Sequence, residues 1–467
     1  MIDPHLSLIV ALAALAILLP AAAARAEAPA PGKLLAQRLE WFQDLKFGFF
    51  VHWGIYSQWG CIESWPLVPA DKWARPDDLK CWTDRGKDIR RFQRDYFALN
   101  RTFAPKHFDP TRWARLAHQA GMKYVVFTTK HHDGFSMFDT KAADFRITHA
   151  DCPYSRSARP DIAKAVFDAF RTRGFGIGVY FSKSDWHSPY YWDRARSIRD
   201  RNPNFDTLKE PARWAKFVSF VHRQVEELMT GYGHVDILWL DGGQVRPPKQ
   251  AIRMDELVRM ARRRQPRLIV VDRTVGGEHE NYRTPEQRVP EMPPDYVWET
   301  CMTMGEQWSY KPDDAYKSTH ELIHLLVDIV AKGGNFLLNV GPDADGRLPA
   351  PAVRRMQEIG QWMKVNGEAI YGTRPMAPYK RNRVCLTRKG EHVYAIYLAG
   401  RDAKAPPQTV PLPPLEFADG ARATMLGVRG SMPVRKTKTG YTIEVTAVGR
   451  QNPPCRHAYA FRLSLAQ

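Results

Sequence analysis

The stretch TRWARLAHQAGMKYVVFTTKHHDG, residues 111–134, contains the unit that decides the fold. Its first half carries apolar residues at helical spacing and closes at Gly121, which is typical of an amphipathic helix. The run KYVVFTT that follows is rich in β-branched and aromatic residues and predicts a buried strand. His131, His132 and Asp133 come directly after that strand. The unit is therefore a helix, a buried strand and a polar strand end.

This unit recurs along the chain. Helical patterns precede the apolar runs FGIGVYFS, VDILWLDGG, RLIVVD and NFLLNVGP. Buried strands joined by helices belong to parallel sheets that are covered on both faces. About seven such strands over roughly 300 residues fit a (β/α)₈ barrel better than a doubly wound sheet. No glycine-rich phosphate loop follows the first strand. We therefore predict an α/β fold with a catalytic barrel over residues 35–368.

The pattern changes beyond residue 370. Short alternating runs such as GYTIEVTA and HAYAFRLSL are separated by turns rich in Gly, Pro and Lys. This alternation predicts antiparallel strands, and we expect a C-terminal β-sandwich over residues 370–467.

The first residues predict export. The apolar run LSLIVALAALAILLPAAAARA ends in small residues that fit a cleavage site, although the segment before it lacks a positive charge. We expect a signal peptide over residues 1–26, export to a periplasm or the medium, and no stable membrane insertion after cleavage. Six cysteines are consistent with an oxidising compartment, and Cys385 and Cys455 are candidates for a disulfide within the C-terminal region.

The chain is strongly basic, with a net charge of +18. The basic residues are spread along the sequence and no nucleic-acid-binding signature is present, so we expect no nucleic-acid partner. An anionic polysaccharide substrate stays open, and the oligomeric state does not follow from the sequence.

Functional groups of a barrel enzyme gather at the carboxyl ends of its strands. The predicted strand ends carry histidines, carboxylates and aromatic residues, which suit a pocket that binds a polyhydroxylated ligand and performs acid/base chemistry. Asp241, directly after ILWL, is a candidate nucleophile for an anomeric carbon, but it could equally cap a turn. The loop that follows RLIVVD offers five candidates for a second carboxyl, and the residues alone do not choose among Glu278, Glu280, Glu286, Glu291 and Glu299. Glu299 ends a predicted strand, and Glu286 lies on a long loop rich in Pro and Gly, of the kind that often carries function.

Six motifs in order resemble those of glycoside hydrolase family 29 α-L-fucosidases. They are KFGFFVHWG, YVVFTTKHHDGFSMFDT, ILWLDG, TPEQ, WET and NFLLNVGPDADG, and the resemblance runs from about Trp41 to Tyr371. It implies a retaining hydrolase that removes terminal α-L-fucose from an oligosaccharide or glycoconjugate through a covalent fucosyl-enzyme intermediate. It implies no metal and no cofactor.

The resemblance also implies residue roles. Asp241 matches the nucleophile and Glu286 the acid/base residue, with Glu299 as the alternative. The residues matching fucose contacts are His52, Glu63, Trp65, His131, His132, Tyr180, Trp239, Arg273 and Trp308. Two departures, Val271 in place of the usual Asn and the segment ESWPL, leave the leaving-group specificity open. A catalytically silent carbohydrate-binding barrel and an exo-glycosidase for another galacto-configured sugar remain alternatives.

The adjacent histidines could also suggest a metal site. Neighbouring residues of an extended strand point to opposite sides, so His131 and His132 cannot both chelate one ion without a sharp bend. No third and fourth ligands occur at metal-site spacing elsewhere. Two splayed histidines can instead bind two hydroxyls of one neutral sugar, and we predict that role.

Overall fold

The computed structural model describes residues 31–464, apart from residues 414, 416, 418, 419 and 439. The predicted signal peptide over residues 1–26 lies outside the described residues. Within the described part, no helix is both long enough and apolar enough to cross a bilayer. The helices are α1 (Pro31–Leu45), α2 (Lys80–Thr83), α3 (Ile89–Phe97), α4 (Pro110–Gln119), α5 (Ile162–Arg171), α6 (Pro211–Gly231), α7 (Met254–Arg264), α8 (Thr319–Ala331), α9 (Ala350–Asn366) and α10 (Ala447–Gln451).

Seven parallel strands form a curled, barrel-like sheet in the order β5-β4-β3-β2-β1-β7-β6. This confirms the predicted α/β barrel class. The strands are β1 (Phe47–Val51), β2 (Tyr124–Lys130), β3 (Gly176–Ser182), β4 (Ile237–Asp241), β5 (Ile269–Asp272), β6 (Glu299–Thr303) and β7 (Asn335–Val340).

The strands are buried on both faces, which explains their continuous apolar runs. Side chains alternate along each strand, so one set fills the barrel and the other packs under the helices. Phe50, Tyr180 and Trp239 belong to the inner cluster, whereas Phe49 and Val179 belong to the outer one. The aromatic inner set makes the barrel a packed core that leaves room only at its end.

The barrel has a seam between β5 and β6, the two ends of the strand order. Residues 279–287, here called the seam segment, lie between these strands. On one side Asn281 N donates to Val270 O at 3.0 Å, and on the other Gln287 N donates to Cys301 O at 3.0 Å. The seam segment thus takes the place of an eighth strand. It is not a regular strand, because Pro285 cannot donate to a ladder.

The last barrel helix, α9, ends at Asn366, and the C-terminal antiparallel sheet begins at Arg374. Its eight strands pair in the order β11-β14-β13-β12-β15-β10-β9-β8. Residues from both ends of this order, such as Val410 and Leu386, share one hydrophobic core, so the sheet folds over on itself. Its strands are β8 (Arg374–Arg381), β9 (Val384–Lys389), β10 (His392–Leu398), β11 (Thr409–Leu412), β12 (Arg422–Met425), β13 (Met432–Thr437), β14 (Gly440–Glu444) and β15 (Ala458–Ser464).

All six cysteines are free thiols. The suggested pair of Cys385 and Cys455 is therefore not a disulfide in this structure. Cys385 is buried in β9, and the Cys455 thiol contacts Asn366 Nδ2 and Ala458 O instead.

Candidate active site

A small cavity opens at the carboxyl ends of the barrel strands. Ten of the eleven predicted site residues line it, and the eleventh, His132, lies directly behind. With about 60 Å³ of enclosed space the cavity is well below the roughly 300–1,000 Å³ usual for ligand pockets, so it has no room for more than one sugar. The lining residues are Phe50, His52, Glu63, Trp65, His131, Tyr180, Trp239, Asp241, Arg273, Glu286, Cys301 and Trp308.

Asp241 is the last residue of β4, and its carboxylate faces the cavity. Tyr180 Oη donates to Asp241 Oδ2 at 2.8 Å, and Arg273 Nη1 donates to Oδ1 at 3.1 Å. The His132 Nε2 atom lies 3.6 Å from Oδ2. Burial alone would raise the pKa of Asp241, but Arg273 and His132 hold it well below its usual value. Asp241 is therefore an ionised carboxylate at neutral pH and not merely a turn cap.

Each of the three histidines is oriented by a polar partner. His52 Nδ1 lies 2.7 Å from Asn339 Oδ1, His131 Nδ1 lies 2.5 Å from Ser64 Oγ, and His132 Nδ1 lies 2.6 Å from Ser184 Oγ. Burial lowers the pKa of His52 to about 4 and the pKa of His131 well below its usual range. These two imidazoles are therefore neutral and can exchange hydrogen bonds with uncharged hydroxyl groups.

Glu63 is a buried carboxyl at the side of the cavity. Its Oε1 atom accepts a 2.6 Å hydrogen bond from Ser309 N, while Oε2 has no hydrogen-bond partner among the described residues. Burial raises the pKa of Glu63 to about 8. A protonated carboxyl with a free oxygen can donate to a ligand hydroxyl. The sequence identified Glu63 but not Ser309, the residue after Trp308, whose backbone N–H holds the Glu63 carboxyl in place.

The two candidates for the second carboxyl lie in different places. Glu286 belongs to the seam segment, lines the cavity, and its side chain is 42% exposed. Glu299 is fully buried, and Tyr124 Oη and Trp239 Nε1 donate to it at 2.6 and 3.1 Å. The prediction that Glu299 ends a strand is wrong, because β6 begins at Glu299. Glu299 therefore lies at the amino end of the sheet and does not line the cavity, although its partner Trp239 does.

Arg273 connects the two cavity carboxylates. Its backbone N–H donates to Leu240 O at 3.1 Å, which aligns it with the end of β4. One guanidinium nitrogen donates to Asp241 and the other to Glu286. Because one planar group spans both carboxylates, they lie close together. A close pair of carboxyls is what a retaining glycosidase requires, since it places them about 5–5.5 Å apart.

Sequence reasoning missed several residues around the cavity. Phe50 and Cys301 line it, and strand alternation could have identified Phe50 because it precedes His52 by two residues. The Lys183–Asp272 ion pair is buried beside the site, and Lys183 Nζ also donates to Val245 O at 3.0 Å. No local signal pointed to that pair. Val271, the departure from the family pattern, belongs to the barrel interior and does not line the cavity.

Potential metal ligands meet elsewhere. Among the described residues, one group, Asp255, Glu278 and His279, brings three ligand atoms within 4.8 Å of one another. It is largely exposed, and none of the three lines the cavity. Exposed acidic groups of this kind commonly hold no ion.

A barrel with a carboxylate pair in a small cavity lined by neutral donors and aromatic rings defines a glycoside hydrolase. Residues 20–368 match the family model "Alpha-L-fucosidase". The human tissue α-L-fucosidase is 29% identical over 84% of this chain and 81% of its own length. The chain therefore belongs to the α-L-fucosidase family, glycoside hydrolase family 29.

Solved structures agree with this assignment. α-L-Fucosidase isoenzyme 1 from Paenibacillus thiaminolyticus superposes with a TM-score of 0.75 at 29% identity, covering 93% of this chain and 100% of that one. A family 29 α-L-fucosidase from Bacteroides thetaiotaomicron superposes with a TM-score of 0.70 at 25% identity, covering 92% and 96%. That structure is a covalent intermediate trapped with 2-fluoro-fucosyl fluoride in a glutamate-to-glutamine variant.

Proposed function

We propose that the protein is a retaining exo-α-L-fucosidase in which Asp241 is the nucleophile and Glu286 the acid/base residue. The observation that supports these roles is the carboxylate pair on Arg273, at the mouth of a cavity that accommodates one sugar. Membership of the family indicates that the sugar is fucose. The positions of Asp241 and Glu286 indicate which two residues act on it.

The reaction has two steps. Asp241 attacks the anomeric carbon while Glu286, as the carboxylic acid, gives its proton to the departing glycosidic oxygen. The glycosidic bond breaks, and a fucosyl ester of Asp241 forms with inverted configuration. Glu286, now a carboxylate, then takes a proton from water as that water attacks the anomeric carbon and releases Asp241. Two inversions give net retention.

The cavity suits a neutral deoxy sugar. Fucose carries hydroxyl groups and a methyl group but no charge, so it needs neutral donors and an apolar wall. His52 and His131 supply neutral ring nitrogens, and protonated Glu63 supplies an O–H. The rings of Phe50 and Trp308, whose centroids lie 5.9 Å apart, supply an apolar wall for the methyl group.

We further propose that the substrate is a fucosylated oligosaccharide or glycoconjugate and that the protein is exported. The substrate proposal follows from an exo-acting cavity, which holds the terminal sugar alone.

Export is supported by the apolar leader that ends in small residues before residue 27. N-terminal sequencing of the protein secreted from its natural host would test it, and a mature chain that still carries the leader would contradict it.

The function is tested with aryl glycosides and a trapped intermediate. We expect release of nitrophenol from the α-L-fucoside but not from the α-galactoside, with α-L-fucose as the first product seen by NMR. A 2-fluoro-fucosyl fluoride should label the peptide that contains Asp241, as detected by mass spectrometry. Turnover of the galactoside alone would support the alternative galacto-configured specificity. Binding without turnover of either substrate would indicate a silent carbohydrate-binding barrel.

A further inference from the structure

Trp73 is a tryptophan outside the cavity to which no role has been assigned. Its side chain is 55% exposed, more than any other aromatic residue among those described. Exposing an indole ring to water forgoes the free energy of burying it, about 25 cal/mol per Å² of apolar surface. An exposed tryptophan next to a ligand cavity is therefore a candidate contact surface.

An aromatic path joins Trp73 to the cavity. The ring centroids of Trp73 and Trp65 lie 6.3 Å apart, and Trp65 lines the cavity. The Trp65 ring is already in contact with other groups: His132 lies 4.9 Å away and the Arg201 guanidinium lies 4.2 Å above it. Trp73 is thus the solvent-exposed end of this path.

The backbone around Trp73 is held in place before any ligand binds. Arg201 donates to both carboxylate oxygens of Asp71 at 2.8 and 3.0 Å. Asp71 Oδ1 also lies 3.4 Å from Trp73 Nε1. The buried Arg75 side chain donates to three backbone oxygens of the same loop, those of Pro66, Val68 and Pro69. A fixed aromatic ring binds a ligand without a large loss of side-chain entropy.

The size of the cavity decides what Trp73 meets. A cavity that holds one monosaccharide leaves the rest of a glycan outside, next to the rim. We propose that Trp73 is the stacking platform for the sugar of the leaving group, a neutral pyranose with an apolar face, and so determines leaving-group specificity. This inference rests on the proposed fucosidase activity, because it requires that the cavity holds the fucose.

The test compares two kinds of fucosyl donor that differ only in the leaving group. The first kind is a set of α-L-fucosyl disaccharides with different linkages. The second is α-L-fucosyl fluoride, whose leaving group has no ring. For Trp73→Ala we expect kcat/KM on the best disaccharide to fall about 3- to 10-fold, mainly through KM. On the fluoride the kcat/KM of Trp73→Ala should stay within about twofold of the wild type.

Trp73→Phe should keep most of the disaccharide activity. Met292→Ala, at a residue that is 65% exposed, is the matched control and should behave as the wild type.

Each outcome decides between the two proposals. Equal losses on both donors, or no loss on either, would overturn the role of Trp73 while leaving the fucosidase assignment intact. A wild-type protein that cleaves the fluoride but no disaccharide would also overturn it. Wild-type protein that cleaves neither donor would instead contradict the fucosidase activity itself.

Discussion

Arg273 Nη1 donates a 3.1 Å hydrogen bond to Asp241 Oδ1, from the end of β5 to the end of the neighbouring β4. This cation, together with His132, keeps the pKa of Asp241 well below its usual value although the carboxylate is partly buried. Asp241, the proposed nucleophile, is thereby ionised at neutral pH.

Replacing Arg273 should change the pH dependence of the reaction. In Arg273→Gln the pKa of Asp241 rises, because burial is then opposed only by weaker partners. Since the protonated form is inactive as a nucleophile, the acidic limb of the kcat/KM profile should move to higher pH by about 1–2 units. A pH–rate profile with an aryl fucoside measures this. A limb that stays in place would show that Arg273 does not set the ionisation of Asp241.

Removing the nucleophile should abolish turnover without unfolding the protein. We expect Asp241→Ala to lower kcat on an aryl α-L-fucoside by at least about 10³-fold. Added azide should restore part of the activity by entering the vacated face, giving β-L-fucosyl azide. Asp255→Asn is the matched control, since Asp255 is exposed and does not line the cavity. Unchanged turnover in Asp241→Ala would contradict the proposed role.

Variants of the two glutamate candidates should differ in how strongly their kcat/KM depends on the leaving group of the substrate. We expect Glu286→Ala to lower kcat/KM by about 10²–10⁴-fold for leaving groups that need a proton, and far less for dinitrophenol. Glu299→Gln should show no such dependence on the leaving group. Its effect should instead be a lower Tm, because Tyr124 and Trp239 donate to both carboxylate oxygens. The reverse pattern would assign the acid/base role to Glu299.

The buried Glu63 should make stability depend on pH. Its pKa is about 8 in the folded protein, above the usual 4.5, so the folded state binds more protons between these values. The stability of the wild type should therefore fall as pH rises through this interval. Glu63→Gln removes that contribution, and its Tm relative to the wild type should increase by at least about 2 °C from pH 5 to pH 8. A constant difference in Tm would indicate that Glu63 is ionised throughout.

Chelation should leave the reaction unchanged. The chemistry proposed for the cavity is nucleophilic and acid/base, and the group of Asp255, Glu278 and His279 lies outside the cavity lining. We expect full activity on an aryl fucoside after exhaustive dialysis against EDTA. A loss that Zn²⁺ or Ca²⁺ reverses would require a metal-dependent mechanism.

Strand ends were predictable from the sequence and loop positions were not. Asp241 follows an apolar strand, so its place at the catalytic edge follows from the period and direction of parallel strands. Glu299 was misplaced because the apolar run before it was interpreted as a strand, whereas the strand starts with Glu299 itself. The five loop glutamates were equivalent by composition, and only the family resemblance singled out Glu286.

The remaining features of the site could not be predicted because they are contacts between residues far apart in the sequence. Ser309 holds Glu63 across a separation of 246 residues, and Arg201 holds Asp71 across 130. Neither pair has a local pattern, because the contacts arise only when separate loops meet at the end of the barrel. The aromatic path from the cavity to Trp73 depends on the same loops.

The seam segment closes the barrel and carries Glu286, the proposed acid/base residue, so one stretch of chain would serve both the fold and the reaction. Thr300 Oγ1 donates to Pro285 O and Arg288 O on either side of that glutamate. If this segment detached, the nucleophile and the histidines would remain on their own strands. With the proposed roles, such a form would keep the proposed nucleophile and sugar contacts but lose the proposed proton donor. Under this proposal, hydrolysis of the sugar depends on a few hydrogen bonds that hold the seam segment to β5 on one side and to β6 on the other.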